Sequence, residues 1–395
     1  MKVAHIYGSI DRMHGATKWL LSFSEEINRA DTESKIFCIN FSIKKPFWFN
    51  SQIYSLGKDL SKSNRISRMV KSYLYVFILP LKIDKDTDVI VLHSEISLFA
   101  APLIRLRFKC IKIIYYCYQP PREAYDLWPK IKKEFNPITR SLLELLLPIY
   151  RFCDKLLVRL CDHFLVWGIE YKNYFESIYG TKKNISLIPA GVDFEYIKNH
   201  NHVISFKLLQ KFEDFDYLFL TNASLISKKN LDVFIKTIKQ VNENGFSVGG
   251  IILGEGPIKN ELIAICKNYG IESSIIFTGF VNQITLPSYY FISDIIFYLE
   301  LNGAWSLSII EAGAAKKPVI VAPGGSMETL VKHEESGIIL NGVDEIDLIA
   351  SVAIDLIQNK EKRDSYGEKL YEKTSKYSLQ NSVKEFNLLI DTLLE

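Results

Sequence analysis

Short apolar runs alternate along this chain with longer stretches whose apolar residues recur every three or four positions. The first kind predicts buried strands and the second predicts amphipathic helices, so the order implies parallel sheets covered by helices. Strands are expected near 2–8, 34–40, 88–93, 111–117, 163–167 and 185–188. A second series is expected near 217–223, 248–253, 275–278, 294–299, 318–322 and 337–340. The two series read as two similar halves. The break falls at Pro189-Ala-Gly-Val-Asp193 and the polar stretch Lys198 to Lys211. Residues 1–197 and 198–380 are each long enough for a doubly wound α/β domain, with a last helix over 381–395 returning to the first. Ligands of such sheets sit at the carboxyl ends of strands, and a cleft between two such domains is a common site.

Composition narrows the picture modestly. Of 395 residues, 48% are apolar and 24% charged, as in an ordinary globular enzyme. The net charge of +3 conceals an asymmetry: residues 1–200 hold 30 Lys+Arg and 20 Asp+Glu (+10), leaving 18 and 25 (−7) for 201–395. A basic first half favours a nucleotide, a phospholipid surface or a lipid diphosphate, and two oppositely charged faces explain it equally. No nucleic-acid partner is expected. The six cysteines form no C-x-x-C and no His-rich pairing, which points away from zinc and disulfides and toward a reducing cytoplasm. The chain opens directly on an apolar strand pattern, so no leader peptide is expected. No apolar run reaches the ~18 residues of a membrane span. The nearest, Tyr73 to Leu81, is interrupted by Pro80.

Candidate chemistry gathers at the strand ends. After the first strand, Gly8-Ser-Ile-Asp-Arg-Met-His-Gly15 opens a helix where main-chain N–H groups could meet a diphosphate. The spacing is not that of a dinucleotide site, and a plain helix start is the alternative. In the second half, Asn222-Ala-Ser224-Leu-Ile-Ser-Lys228-Lys229 follows a strand, and a lysine there can neutralise a leaving diphosphate. A solvated loop is the better reading of Lys228. Gly254 lies in the turn Leu253-Gly-Glu-Gly-Pro257, and Phe277-Thr-Gly-Phe-Val281 is a further glycine turn. From Asp294 a strand ends near Leu299. A small-residue loop with Gly303 follows, and a helix opens at Ser306-Leu307 with Glu311 in its early turns. The strand Pro318 to Ala322 then runs into Gly324-Gly325.

Taken in order, Gly15-Ala, Pro189-Ala-Gly-Val-Asp193, Lys229-Asn, Leu253-Gly-Glu-Gly-Pro, Phe277-Thr-Gly, Ile309-Ile-Glu-Ala-Gly-Ala and Pro318-Val-Ile-Val-Ala-Pro-Gly-Gly-x-x-Glu328 cover nearly the whole chain. The set resembles the glycosyl transferases group 1 family of retaining GT-B enzymes. The resemblance implies two Rossmann-like domains facing across a cleft, a nucleotide-sugar donor held mainly by the second domain, and no cofactor or metal. The triplets Asp86-Thr-Asp88 and Asp214-Phe-Asp216 stand before strands, not after them. By the same resemblance Glu311 matches the second glutamate of an E-x7-E pattern and holds the ribose, Lys229 contacts the diphosphate, and Gly15 lies over the phosphates. Gly254, Ser306 and Leu307 complete the expected donor site. Three positions depart from the pattern. Gly303 stands where the first glutamate would touch the sugar, with Glu300 near enough to replace it. Ser224 stands in place of an arginine, and Tyr118 in place of a histidine. Losing one such contact costs about 2–4 kcal/mol of transition-state stabilisation.

On the acceptor side, His93 ends a strand and Arg122 lies in Gln119-Pro-Pro-Arg122. Arg122 could grip a phosphate or pair with Asp126 or Glu123; His93 could face the cleft or be a structural histidine. Residues 128–160 mix basic side chains, Lys130 and Lys133 among them, with a run of leucines, and Lys44-Lys-Pro-Phe-Trp-Phe49 is a second basic-aromatic cluster. Either could dock at an anionic membrane surface, or be ordinary packed helices with snorkelling lysines. The expected activity is retaining transfer of a hexose-type sugar to a glycan acceptor, lipid-linked, for cell-surface polysaccharide or glycoconjugate, at the cytoplasmic face of the membrane. A noncatalytic glycosyltransferase-like binding partner and a nucleotide-sugar epimerase are the alternatives.

Overall fold

The computed structural model describes all residues except Phe47, 61–64, 182–183, 200–209 and Ala304, together with the side chains of 65, 66, 69, 130, 134 and 211. Most of the expected linker 198–211, Phe47 of the basic-aromatic cluster and the side chain of Lys130 therefore lie outside the described part. The chain forms two units, Met1–Pro189 with Ser382–Glu395, and Ala190–Asn381.

The first unit is built on a seven-stranded parallel sheet in the order β3-β2-β1-β4-β5-β6-β7. Its strands are β1 (Lys2–Ile10), β2 (Glu33–Phe41), β3 (Gln52–Ser55), β4 (Val89–His93), β5 (Lys112–Cys117), β6 (His163–Val166) and β7 (Ile185–Leu187). The central strand β4 is buried at every position, which is why its sequence is continuously apolar rather than alternating. The helix Gly15–Arg29 lays Trp19, Leu20, Phe23 and Ile27 on the sheet, with the Trp19 and Phe23 rings stacked at 4.8 Å. Phe386, from the last helix, packs edge-on to Phe23 at 5.0 Å and is fully buried. The Ser382 hydroxyl donates to the Pro189 carbonyl at 2.7 Å. The last residues thus finish the core that the first ones begin.

The second unit carries a six-stranded parallel sheet in the order β10-β9-β8-β11-β12-β13. Its strands are β8 (Tyr217–Asn222), β9 (Val248–Leu253), β10 (Ile275–Gly279), β11 (Ile295–Tyr298), β12 (Val319–Val321) and β13 (Ile338–Ile339). All the expected strands form. The one missed is β3, an edge strand of four residues whose alternately exposed positions give little apolar signal.

In each sheet the strand order reverses once, between β1 and β4 in the first and between β8 and β11 in the second. Beyond the carboxyl ends of such a pair the connecting loops run to opposite sides and leave a crevice. Gly15 and His93 follow or end the switch strands of the first sheet, and Lys229 and Glu300 follow those of the second. Replacing Phe386 with Ala should lower the unfolding free energy of the first unit by about 3–5 kcal/mol, the usual cost of emptying a buried phenylalanine site. Urea unfolding followed by fluorescence measures it, and a loss below 1 kcal/mol would mean that the last helix contributes little to that core.

Candidate active site

The second sheet's switch point is occupied by charge. After β8 the chain makes one short turn, Ser227–Lys229, and enters the helix Leu231–Glu243 through Asn230 in the left-handed region (φ 48°). Asparagine tolerates that conformation better than most residues. Its side-chain amide donates to the Leu299 carbonyl at 2.7 Å, tying the lysine turn to the end of β11. Past β11 the chain turns at once, and the Glu300 carboxylate accepts from the Lys229 and Lys228 ammonium groups, the latter at 2.8 Å. The Tyr298 hydroxyl donates to the same carboxylate at 2.8 Å, and Lys229 also lies 5.1 Å from the Tyr298 ring centre.

Burial and charge oppose each other at Glu300. Burial pushes its carboxyl up, while Lys229 first and then Lys228 pull it down, and the net result lies below the ordinary value. The two lysines differ in weight. Lys229 is largely enclosed and Lys228 is mostly exposed. An exposed pair contributes about 0–1 kcal/mol, whereas stripping the partner from a buried charge costs about 3–5 kcal/mol. Lys229 is thus the fixed charge of the site. The trio of two ammoniums and one carboxylate keeps one net positive charge.

Gly303 explains how Glu300 reaches this place. A Cβ at 303 would stand 2.7 Å from Cε1 of Tyr298, so the loop closes over the tyrosine ring only if residue 303 is glycine. Position 303 therefore offers no side chain, and position 300 supplies the carboxylate that faces the lysines.

Glu311 sits on the helix Leu307–Ala314, which Ser306 caps by accepting from the Ile309 N–H at 3.4 Å. The residue is buried, and its carboxylate accepts from the Tyr290 hydroxyl at 2.7 Å and from the Asn222 amide at 3.3 Å. The Asn222 amide also donates to the Tyr290 hydroxyl at 3.1 Å, and the Ser308 hydroxyl donates to the Asn222 carbonyl at 3.1 Å. Glu311 is thereby fixed at the carboxyl end of β8, but its partners in hand are protein groups. Burial first, then Glu311, holds the Tyr290 phenol well above its ordinary range, so it stays a donor.

The remaining expected donor residues fall around these. Ser224 is exposed in the loop after β8. Gly254 (φ 131°) serves packing: a Cβ there would meet the Ala223 carbonyl oxygen at 2.1 Å, so its absence lets the two strand-end loops touch. Gly15, in the first unit, has nothing beyond its chain neighbours and its own helix backbone within 4 Å of where its Cβ would be, so the helix start is open there.

The acceptor-side expectations fare differently. His93 is fully buried in the central strand and does not face a cleft. Its Nδ1 meets the Tyr118 hydroxyl at 2.6 Å and its Nε2 meets Nδ1 of His5 at 2.8 Å. Burial pushes His5 down to about 3, and burial together with His5 pushes His93 well below its usual range. Tyr118 is also buried, stacked on Trp167 at 4.6 Å. These side chains form a neutral core network. Arg122 is engaged by Asp126 at 2.7 Å and by the Tyr174 ring at 3.6 Å, the paired alternative. Asn222, Tyr290 and Tyr298 were not singled out from the sequence, because hydrogen-bond partners from distant elements leave no spacing to read. Among the described residues no group of three or more His, Cys, Asp or Glu side chains could hold a metal ion.

Comparison with known proteins gives these elements a context. Residues 207–373 match the model of the family described as Glycosyl transferases group 1. An uncharacterized glycosyltransferase of Methanocaldococcus jannaschii is 26% identical over 53% of this chain and 54% of its own. The alpha-monoglucosyldiacylglycerol synthase of Streptococcus pneumoniae is 26% identical over 54% and 48%. The chain thus spans about half the length of the curated relatives it matches. The crystal structure of an Anabaena protein, HepE, in complex with UDP-glucose superposes with a TM-score of 0.75 at 15% identity, over 99% of this chain and 100% of that one. That likeness shows the fold, two Rossmann-like units of the GT-B class.

The charge cluster makes a pH-dependent prediction. Because the folded carboxyl of Glu300 titrates below its unfolded value, its contribution is complete above the ordinary glutamate range and is lost as pH falls through the folded value. Wild type should exceed Glu300→Gln in unfolding free energy by a constant amount from pH 7 to about pH 5, and the gap should close on further acidification. Urea unfolding of both proteins across that range measures it. A gap that does not change with pH would remove the ionic role of Glu300.

Proposed function

We propose that this chain, which carries a glycosyl transferases group 1 domain over residues 207–373, moves a hexose-type sugar from a nucleoside-diphosphate donor to a lipid-linked glycan acceptor. The observation that carries the reading is the Lys229–Glu300–Lys228 cluster at the switch point of the second sheet. A ready-made ammonium, already held by a carboxylate, is placed where an open α/β sheet receives ligands. Diphosphate oxygens can replace the Glu300 contact or share the ammonium with it, and the net positive charge of the trio favours their arrival.

In this reading Lys229 meets the charge that develops on the leaving diphosphate, helped by the main-chain N–H groups of Ser306 and Leu307 at a helix start. Glu311, oriented by Asn222 and Tyr290, receives the ribose hydroxyls. The bond between the anomeric carbon and the phosphate oxygen breaks, and the bond to the acceptor oxygen forms on the same face. The acceptor proton passes to the leaving phosphate oxygen, so configuration is retained and no separate strong base is needed. The buried, neutral His93 then has no proton to move. The lipid acceptor is supported by the diacylglycerol product named for the Streptococcus pneumoniae relative, and a nucleotide donor by UDP-glucose in the Anabaena complex. Synthesis of cell-surface glycan at the cytoplasmic face of the membrane follows as the setting. A second reading, a binding partner without turnover, is favoured by Gly303, which leaves no side chain at its position, and by the carboxylate that already occupies Lys229.

Release of nucleoside diphosphate from a panel of UDP- and GDP-sugars, with a membrane lipid extract as acceptor, tests the proposal. Lys229→Ala should lower kcat/KM about 10²–10³-fold, and Glu311→Ala should chiefly weaken donor binding. Donor binding without turnover across the panel would replace the catalytic reading with the second one.

A further inference from the structure

The strongest unassigned feature lies in the first unit. On the helix Pro137–Val158, Ile138, Leu142, Leu145, Ile149, Phe152 and Leu156 follow one another at intervals of four and three residues, which puts them on one face. In a globular domain such a stripe faces the core. Here all six are exposed, with Ile138, Leu145 and Phe152 at 84%, 71% and 69%. The residues this helix does bury are Asp154, Leu157 and Val158. The helix Arg65–Ile78 and the turn after it repeat the pattern: Val70, Leu74, Phe77 and Leu81 are spaced by four, three and four, and all are exposed. Both helices pack on the same short turn, Ile96–Ala100, where Phe99 meets Tyr73 at 4.3 Å. Each stripe is more regular than scattered surface leucines account for.

The charge around the stripes selects the occupant. Residues 60–83 contain no Asp or Glu, and Lys71 and Lys82 lie beside the stripe, while Arg68 donates to the Leu60 carbonyl at 3.1 Å. On the longer helix Glu144 is paired with Lys132 at 3.0 Å, and Asp154 is buried against the Tyr125 and Tyr179 hydroxyls. Exposed Lys155 and Arg159 stand beside the stripe at the end of that helix, whereas Arg140 lies on its opposite face. A second copy of this chain meeting the face about a twofold axis would set like charges against each other. No helix among the described residues is long and apolar enough to cross a membrane. An apolar face with basic neighbours on a helix about 33 Å long suits the headgroup boundary of an anionic bilayer instead.

We infer that the outward faces of the helices Arg65–Ile78 and Pro137–Val158 form a docking surface for an anionic phospholipid bilayer. The surface belongs to the first unit and the donor-site residues to the second, and its test needs no sugar transfer, so either idea can fail without the other. The full chain is sedimented with phosphatidylcholine vesicles that contain or lack phosphatidylglycerol. Wild type should partition at least about tenfold better onto the anionic vesicles and lose that advantage in high salt. The double substitution Leu145→Glu, Phe152→Glu should reduce partitioning at least about tenfold with circular dichroism unchanged. Lys155→Gln with Arg159→Gln, which leaves the apolar face intact, should flatten the salt dependence and serves if the first variant does not fold. Equal partitioning onto both vesicle types, or undiminished binding by the folded double variant, overturns the inference. So does a wild-type dimer, formed without lipid, that the double variant converts to monomer, because the face would then be a contact between copies.

Discussion

One carboxylate held between two ammonium groups organises the working end of the second sheet. Glu300 is buried, so its charge persists only because Lys229 and Lys228 offset the loss of water. That requirement fixes other things around it. Tyr298 must present its hydroxyl to the carboxylate, residue 303 must lack a side chain so that the loop can close over the tyrosine ring, and Asn230 must hold the lysine turn against the end of β11. The three residues come from two separate strand ends and meet because β8 and β11 are neighbours in the sheet.

Close approach of main chains completes the arrangement. Gly256 lacks the Cβ that would stand 2.2 Å from the Leu225 carbonyl oxygen, and Gly325 (φ 66°) lacks one that would meet the Gly303 carbonyl oxygen at 2.1 Å. The loops after β8 and β9, and those after β11 and β12, therefore interlock in pairs through backbone contact. A site supported in this way holds its geometry better than one on isolated loops. Glu311 is tied to the end of β8 through Asn222 and Tyr290, which join that strand to two helices.

Strand positions and helix placement could be read from the chain because continuous apolar runs and amphipathic spacing are local signals. Lys229 and Glu311 could be singled out as candidates because their neighbours form an ordered set of motifs, and their roles belong to the proposed function. What could not be read was partnership across long sequence separations. Glu300 meets Lys229 from 71 residues away, and Tyr290 meets Glu311 across an intervening strand. His93 shows the opposite error. Its strand, Val-Ile-Val-Leu-His, is apolar on both faces, and that is the mark of a central buried strand. The histidine shares its neighbours' burial, and its polar atoms are satisfied by Tyr118 and His5. Arg122 was ambiguous until geometry showed Asp126 at helical distance beneath it.

The closing segment of the first unit bears on how the chain can be made. Phe386 and Ser382 supply parts of a core whose other members include Phe23 and the residues around Pro189. During synthesis, the second unit is entirely outside the ribosome before those last side chains emerge. The lobe translated first is thus the lobe completed last, and for the interval between it is a nascent intermediate with part of its apolar centre uncovered. Order of birth and order of completion are inverted in this protein.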